Sequence, residues 1–144
     1  MIRQTYEKSL TANDTGATGG HQAGIHIPKS QKSLVALLPF LDPAEKNPAA
    51  WLVMTDDMGV TWRFRYIYYN NRLHDDGGTR DEYRITHMTK YFRAVGAMEG
   101  DVLVLAGSPG EGGYSISVRK EEMQEGGRAE TRLRVRLVGW RRVH

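Results

Sequence analysis

Val60-Thr61-Trp62-Arg63-Phe64-Arg65-Tyr66-Ile67-Tyr68-Tyr69-Asn70 is the stretch whose reading decides the fold. Side chains two apart on a strand share a face, so Trp62, Phe64, Tyr66 and Tyr68 project together while Arg63 and Arg65 project the other way. Four rings at period two are most simply the wall of a barrel core. The competing reading makes them an exposed platform on which single-stranded bases stack. Working outward, Trp51 to Thr55 is a partner strand, joined as a hairpin through a turn at Asp56-Asp57-Met58-Gly59. On the other side, Asn70 to Gly78 is a polar, glycine-ended tip. The chain returns from it along Thr79-Arg80-Asp81-Glu82-Tyr83-Arg84-Ile85-Thr86, so Tyr66 to Thr86 forms a second hairpin with a long, basic end.

In the returning strand Arg80, Glu82 and Arg84 share one face, and Tyr83 and Ile85 the other. The charged row spans roughly 13 Å at about 3.3 Å per residue, close to the roughly 12 Å width of the DNA major groove. Arginine can fork onto guanine O6 and N7, and glutamate can accept from cytosine N4. Alternating charge is also the ordinary look of a solvated strand face.

Elsewhere the pattern is mainly β. Gln4 to Ala12 reads as a strand ending at Asn13-Asp14, followed by a loop, Thr15 to Gly24, too rich in glycine and small polar residues to be regular. Such a loop lets backbone N–H groups approach a phosphate closely. Lys29 to Leu41 carries Leu34, Leu37, Leu38 and Leu41 at helical spacing, with Ser30 or Ser33 as the cap. Asp42 to Pro48 is a connector. The turn Met98-Glu99-Gly100-Asp101 leads into Val102-Leu103-Val104-Leu105, and two alternating strands follow, one on Tyr114, Ile116 and Val118 and one on Leu133, Val135 and Leu137. About seven strands with one clear helix predict a β-barrel or sandwich.

The 144 residues suit one domain, 1–144, with a single core. With no cysteine there is neither a disulfide framework nor a thiolate metal site, and a reducing cytoplasmic setting is the expectation. The longest apolar run, near Leu34 to Leu41, is broken by Pro39 and far too short for a membrane span. Net charge is only +3, but from Arg128 to His144 six arginines face one acid, Glu130.

The chemistry needed for an enzyme is thin. The loop is no Walker motif, since no Gly-Lys-Ser/Thr follows, and it lacks the dinucleotide fingerprint. No acidic residue is followed two positions later by lysine, the arrangement common in Mg²⁺-dependent nucleases, and no Gly-x-Ser-x-Gly elbow is present. An acid–base pair of His21 and His26 on a glycine-loop phosphate site is the enzymatic alternative, a small phosphodiesterase or nuclease, metal-dependent or histidine-based. His21, flanked by Gly20 and Gln22, is equally suited to holding a phosphate or a base edge.

Leu10-Thr-Ala-Asn-Asp-Thr-Gly-Ala-Thr-Gly-Gly-His-Gln-Ala-Gly-Ile-His-Ile-Pro28 resembles the signature of the N-terminal DNA-recognition, or effector, domain of EcoRII-type restriction endonucleases. Gly78-Thr-Arg-Asp-Glu-Tyr-Arg-Ile-Thr86 is similar to that domain's second DNA-contacting segment, and the Glu99-Gly-Asp101 turn is similar to one in B3 domains. The resemblance implies a B3-like pseudobarrel of seven strands and two short helices that binds double-stranded DNA, with 5′-CC(A/T)GG as target. Two arms, the loop 15–28 and the hairpin 70–86, would grip the major groove. Base contacts would come from His21, His26, Arg80, Glu82 and Arg84. Backbone or supporting contacts would come from Thr15, Thr18, Gly19, Gly20, Gln22, Lys29, Lys32, Arg72, Thr79, Asp81 and Tyr83. His26 stands where the family has tyrosine, and Gly78 and Tyr83 where it has lysines. The resemblance further implies no cofactor for binding, with Mg²⁺ needed only by a separate, covalently linked nuclease domain, and a module that is monomeric by itself.

Overall fold

The computed structural model describes residues 3–16, 23–120 and 139–143. The aromatic hairpin forms as read: β3 (Ala49–Asp56) and β4 (Thr61–Tyr69) pair antiparallel with Leu52 opposite Phe64. Their turn closes on Asp56, whose Oδ1 accepts from the amides of Met58 and Val60, while Gly59 takes the positive φ of 83° the turn needs. Phe64, Tyr66 and Tyr68 are 1%, 0% and 3% exposed, and Trp62 packs against the same core. That face is a barrel core, and burial sets aside the stacking-platform reading.

Among the described residues six further strands join the sheet: β1 (Gln4–Ser9), β2 (Ile25–Ile27), β5 (Glu82–Thr86), β6 (Val102–Gly107), β7 (Tyr114–Arg119) and β8 (Trp140–Arg142). Their order is β2-β5-β4-β3-β7-β6-β1-β8, antiparallel throughout except for β3 against β7. Among the described residues the two edge strands do not pair with each other. Instead the Trp140 indole on β8 donates to the His26 carbonyl on β2 at 2.9 Å, and Gln31 Nε2 donates to the Trp140 carbonyl at 3.1 Å. Among the described residues, side chains thus link the two edges of the sheet, the arrangement of a pseudobarrel. The strand expected on Leu133 to Leu137 lies outside the described residues.

The three helices among the described residues are short. α1 (Lys32–Leu37) buries Leu34 and Leu37; Tyr114 donates its hydroxyl to the Leu37 carbonyl and Tyr6 donates to Ser33 Oγ. The expected span of Lys29 to Leu41 is too long, because Leu38, preceding Pro39, is extended at φ −84° and ψ 162°. Neither Ser30 nor Ser33 caps it: Gln31 is the N-cap residue, with no side-chain capping bond. α2 (Asn71–His74) occupies the expected polar tip, and α3 (Thr89–Val95) buries Tyr91 and Phe92, with Tyr91 edge-on to Trp62 and Phe64.

Asn70, fully buried, fixes the base of the β4–β5 connection. It exchanges amide bonds with Asn47 (2.7 and 3.1 Å) and donates to the carbonyls of Pro43 and Glu45. Asn70→Ala leaves those groups without their partner and should cost about 1–3 kcal/mol in denaturant unfolding. Tyr66 offers the opposite test, since its buried hydroxyl has no hydrogen-bond partner among the described residues. Tyr66→Phe should therefore leave the unfolding midpoint unchanged or raise it.

Candidate functional site

Two loops rise beside the same edge of the sheet. The first joins β1 to β2 and is clamped at its base: Leu10 N donates to the Asp101 carbonyl and Gly100 N to the Leu10 carbonyl. Asp14, buried, takes an ion pair from Lys8 at 2.5 Å and accepts from Thr11 N. On its returning limb Ala23 N donates to Thr89 Oγ1, and Met88 N to the Ala23 carbonyl. Thr15 donates its hydroxyl to the Ala12 carbonyl. Thr18, Gly19, Gly20, His21 and Gln22 lie outside the described residues.

The second loop joins β4 to β5. The expected strand from Thr79 is shorter, because Arg80 pairs with α2 rather than with β4. Its amide donates to Asn71 Oδ1 at 2.8 Å and its carbonyl accepts from Arg72 N at 3.0 Å. Regular pairing starts at Glu82, opposite Tyr69. Even so, Arg80, Glu82 and Arg84 come together as read. Arg80 Nη2 donates to Glu82 Oε1 at 2.7 Å, and Arg84 Nη1 stands 3.8 Å from that same oxygen. The Arg80 guanidinium lies 3.7 Å from the centroid of the Tyr69 ring, a stacking that strand periodicity does not reveal.

Arg80, Arg84 and Tyr69 bound a groove of about 580 Å³ that is also lined by Asn13, Arg65, Thr86 and His87. The β1–β2 loop contributes Asn13 to one wall and the β4–β5 connection Arg80 to another. His26 is exposed on β2 opposite Arg84. Partial burial lowers its pKa below the ordinary 6.5, assisted by Arg84 and Lys8 and opposed by Glu82 and Asp14. The folded state thus disfavours the imidazolium, and the stability linked to His26 is complete above 6.5 and lost as pH falls below it through the lowered folded value.

The reverse face of the β4–β5 ribbon is tyrosine. Tyr83 stacks on Tyr68 at 4.4 Å and on Tyr66 at 5.7 Å, so this position supports the ribbon from behind the charged row. Asp81 accepts from the Tyr68 hydroxyl and pairs with Lys29 at 2.5 Å, and those two hydrogen bonds hold its carboxyl below its ordinary range. Lys29 and Lys32 border a second cavity of about 340 Å³ shared with Tyr66 and Tyr83. Arg72 and Thr79 are exposed on the second loop. Among the described residues no cluster of three metal-ligating side chains occurs, and no helix is long and apolar enough to cross a membrane.

Sequence reasoning misses Asn13, Arg65, Tyr69, Thr86 and His87 as groove residues. The alternation does turn Arg65 outward, and its register opposite Thr86 is what brings it into the groove.

Solved structures with this architecture include a B3 domain. The Arabidopsis FUS3–DNA complex matches with a TM-score of 0.60 at 23% identity, over 81% of this chain and 96% of that one. The Arabidopsis thaliana transcription factor LEC2–DNA complex gives 0.58 at 19%, over 84% and 97%. The UbaLAI restriction endonuclease B3 domain with cognate DNA gives 0.54 at 20%, over 83% and 69%. The fold is accordingly that of a B3 domain.

The family model for the N-terminal domain of restriction endonuclease EcoRII matches residues 3–131, and the chain belongs to that family. It is 42% identical over 96 residues to the type II restriction enzyme EcoRII of Escherichia coli, covering 62% of this chain and 22% of that enzyme. It is also 30% identical over 124 residues to the putative auxin response factor 21 of Arabidopsis thaliana, covering 85% and 18%. The chain thus spans about a fifth of the length of these curated relatives.

Proposed function

We propose that this chain is the sequence-reading module of a restriction enzyme, binding duplex DNA in the major groove without cutting it. The observation that carries this reading is the row Arg80, Glu82, Arg84, held by mutual ion pairs and by Tyr69 along a groove between two anchored loops. Guanidiniums fork onto guanine and the carboxylate accepts from cytosine N4, a chemistry suited to a G·C-rich site such as 5′-CC(A/T)GG. Family membership and the B3 fold support the same reading. Backbone phosphates would be held by loop N–H groups and by exposed cations such as Arg72. Mg²⁺ and strand cleavage belong to a nuclease domain linked to this one in a bacterial cytoplasm, and the isolated module is monomeric.

Fluorescence anisotropy with labelled duplex and labelled single strand tests the partner. Duplex should bind more tightly, and incubation with Mg²⁺ should give no cleavage products. Preference for the single strand, or turnover that disappears in His21→Ala, would contradict this reading.

The pH profile of recognition follows from Glu82. Its partial burial raises the carboxyl pKa, but the Arg80 hydrogen bond and the charges of Arg80, Arg84 and His26 outweigh this and leave it below the ordinary 4.5. A depressed carboxylate contributes fully above its unfolded value and loses that contribution as pH falls through the folded one. Preference among duplexes should therefore hold from neutrality down to about pH 5, as read by competition binding at fixed salt.

A further inference from the structure

The face that carries Glu82 and Arg84 continues across two more strands. Thr86 on β5 stands opposite Arg65 on β4, Arg65 opposite Trp51 on β3, and Arg63 opposite Val53. Directly paired residues share a face. Trp51 is 46% exposed, with Val53 beside it on the same face 48% exposed. The guanidinium of Arg63 lies 4.7 Å from its centroid and that of Arg65 5.7 Å, so one indole orients two cations. The His87 ring meets Trp51 edge-on at 5.3 Å, from a backbone with φ of 67° that a non-glycine residue adopts only at a cost. Neither Arg63 nor Arg65 has a carboxylate partner among the described residues, unlike Arg80, Arg84, Arg119 and Arg141. Two cations are thus held in place with no anion of the described protein to meet them.

Strands lie about 4.8 Å apart, so β3 stands roughly 10 Å to the side of β5. With β5 facing a major groove roughly 12 Å wide, the outer face of β3 and β4 comes over the phosphate strand that borders it. We infer that Trp51, Arg63 and Arg65 form a phosphate clamp that grips the DNA backbone flanking the recognised sequence. The indole sets the two guanidiniums, and each presents a planar fork of donors to a phosphate. His87 braces the ring from the groove side. This inference rests on the duplex-binding reading and adds to it an anchor outside both arms, one that contributes affinity and register without reading sequence.

The test compares wild type with Arg63→Gln and Arg65→Gln in duplex binding over a salt series. Each variant should flatten the slope of log K against log salt by about 0.9, the value for one phosphate no longer neutralised, and Arg63→Gln, whose side chain does not line the groove, should leave the ranking of duplexes unchanged. A second readout does not depend on these variants. Trp51 is the exposed indole, Trp62 being partly buried and Trp140 5% exposed, so saturating duplex should shield tryptophan emission from acrylamide, an effect absent in Trp51→Phe. If wild type binds duplex while both glutamine variants keep its salt slope and quenching is unaltered by DNA, the clamp is wrong and the duplex reading stands. A wild-type domain that binds no duplex overturns both.

Discussion

Arg80→Ala and Glu82→Ala should each cut the preference for the cognate duplex about 5- to 150-fold, the range corresponding to 1–3 kcal/mol per well-formed base contact. Binding to unrelated duplex at low salt should persist, because phosphate contacts supply it. The two substitutions are not independent. Arg80 Nη2 and Arg84 Nη1 converge on one Glu82 oxygen, so removing Glu82 also releases two guanidiniums from the geometry in which the row is held. Arg80 retains its stacking on Tyr69, and the double variant should lose less than the sum of the single losses. Competition titrations with single-base variants of the duplex measure this. Equal preference in wild type and Glu82→Ala would remove the row from recognition.

Gly78→Ala should destabilise the second arm by about 1–3 kcal/mol or more, the range for overpacking. A Cβ built at Gly78 comes 2.2 Å from the Asn71 carbonyl oxygen, 2.6 Å from its carbon and 3.0 Å from Arg72 N. All three are backbone atoms of α2, so no rotamer change relieves the clash. The same backbone bears the bonds that position Arg80, since Asn71 Oδ1 accepts from its amide and Arg72 N donates to its carbonyl. Gly78→Lys should therefore fail to add a useful phosphate contact and should displace Arg80 instead. Hydrogen exchange of the Arg72 and Arg80 amides reads this locally. Protection equal to wild type in Gly78→Ala would show that the arm accommodates the side chain.

Periodicity governs how much of this is legible in the sequence. The row Trp62, Phe64, Tyr66, Tyr68 announces a buried strand face, and the alternation of Arg80, Glu82 and Arg84 places three charges on one side. β2 and β8 escape because three residues are too few to establish a period, and both are fixed by tertiary bonds, above all Trp140 to the His26 carbonyl. α3 begins without a side-chain cap, and its Tyr91 and Phe92 are buried by packing against the barrel. The pattern places Arg80 in a strand although its backbone bonds go to Asn71 and Arg72, partners that only the fold of α2 provides. The groove is half legible: its charged row is contiguous in sequence, while Asn13, Arg65 and His87 reach it through register and turns. The glycine-loop motif and the family resemblance it carries agree with the family match over residues 3–131.

The most direct test of the central claim is a gel-shift competition in which labelled 5′-CC(A/T)GG duplex is displaced by unlabelled cognate duplex, each single-base variant, and the single strand. Cognate duplex should compete best, each G·C change should weaken competition by about 1–3 kcal/mol, and the single strand should compete poorly. Equal competition by all duplexes, or best competition by the single strand, would contradict sequence-specific duplex recognition by this domain.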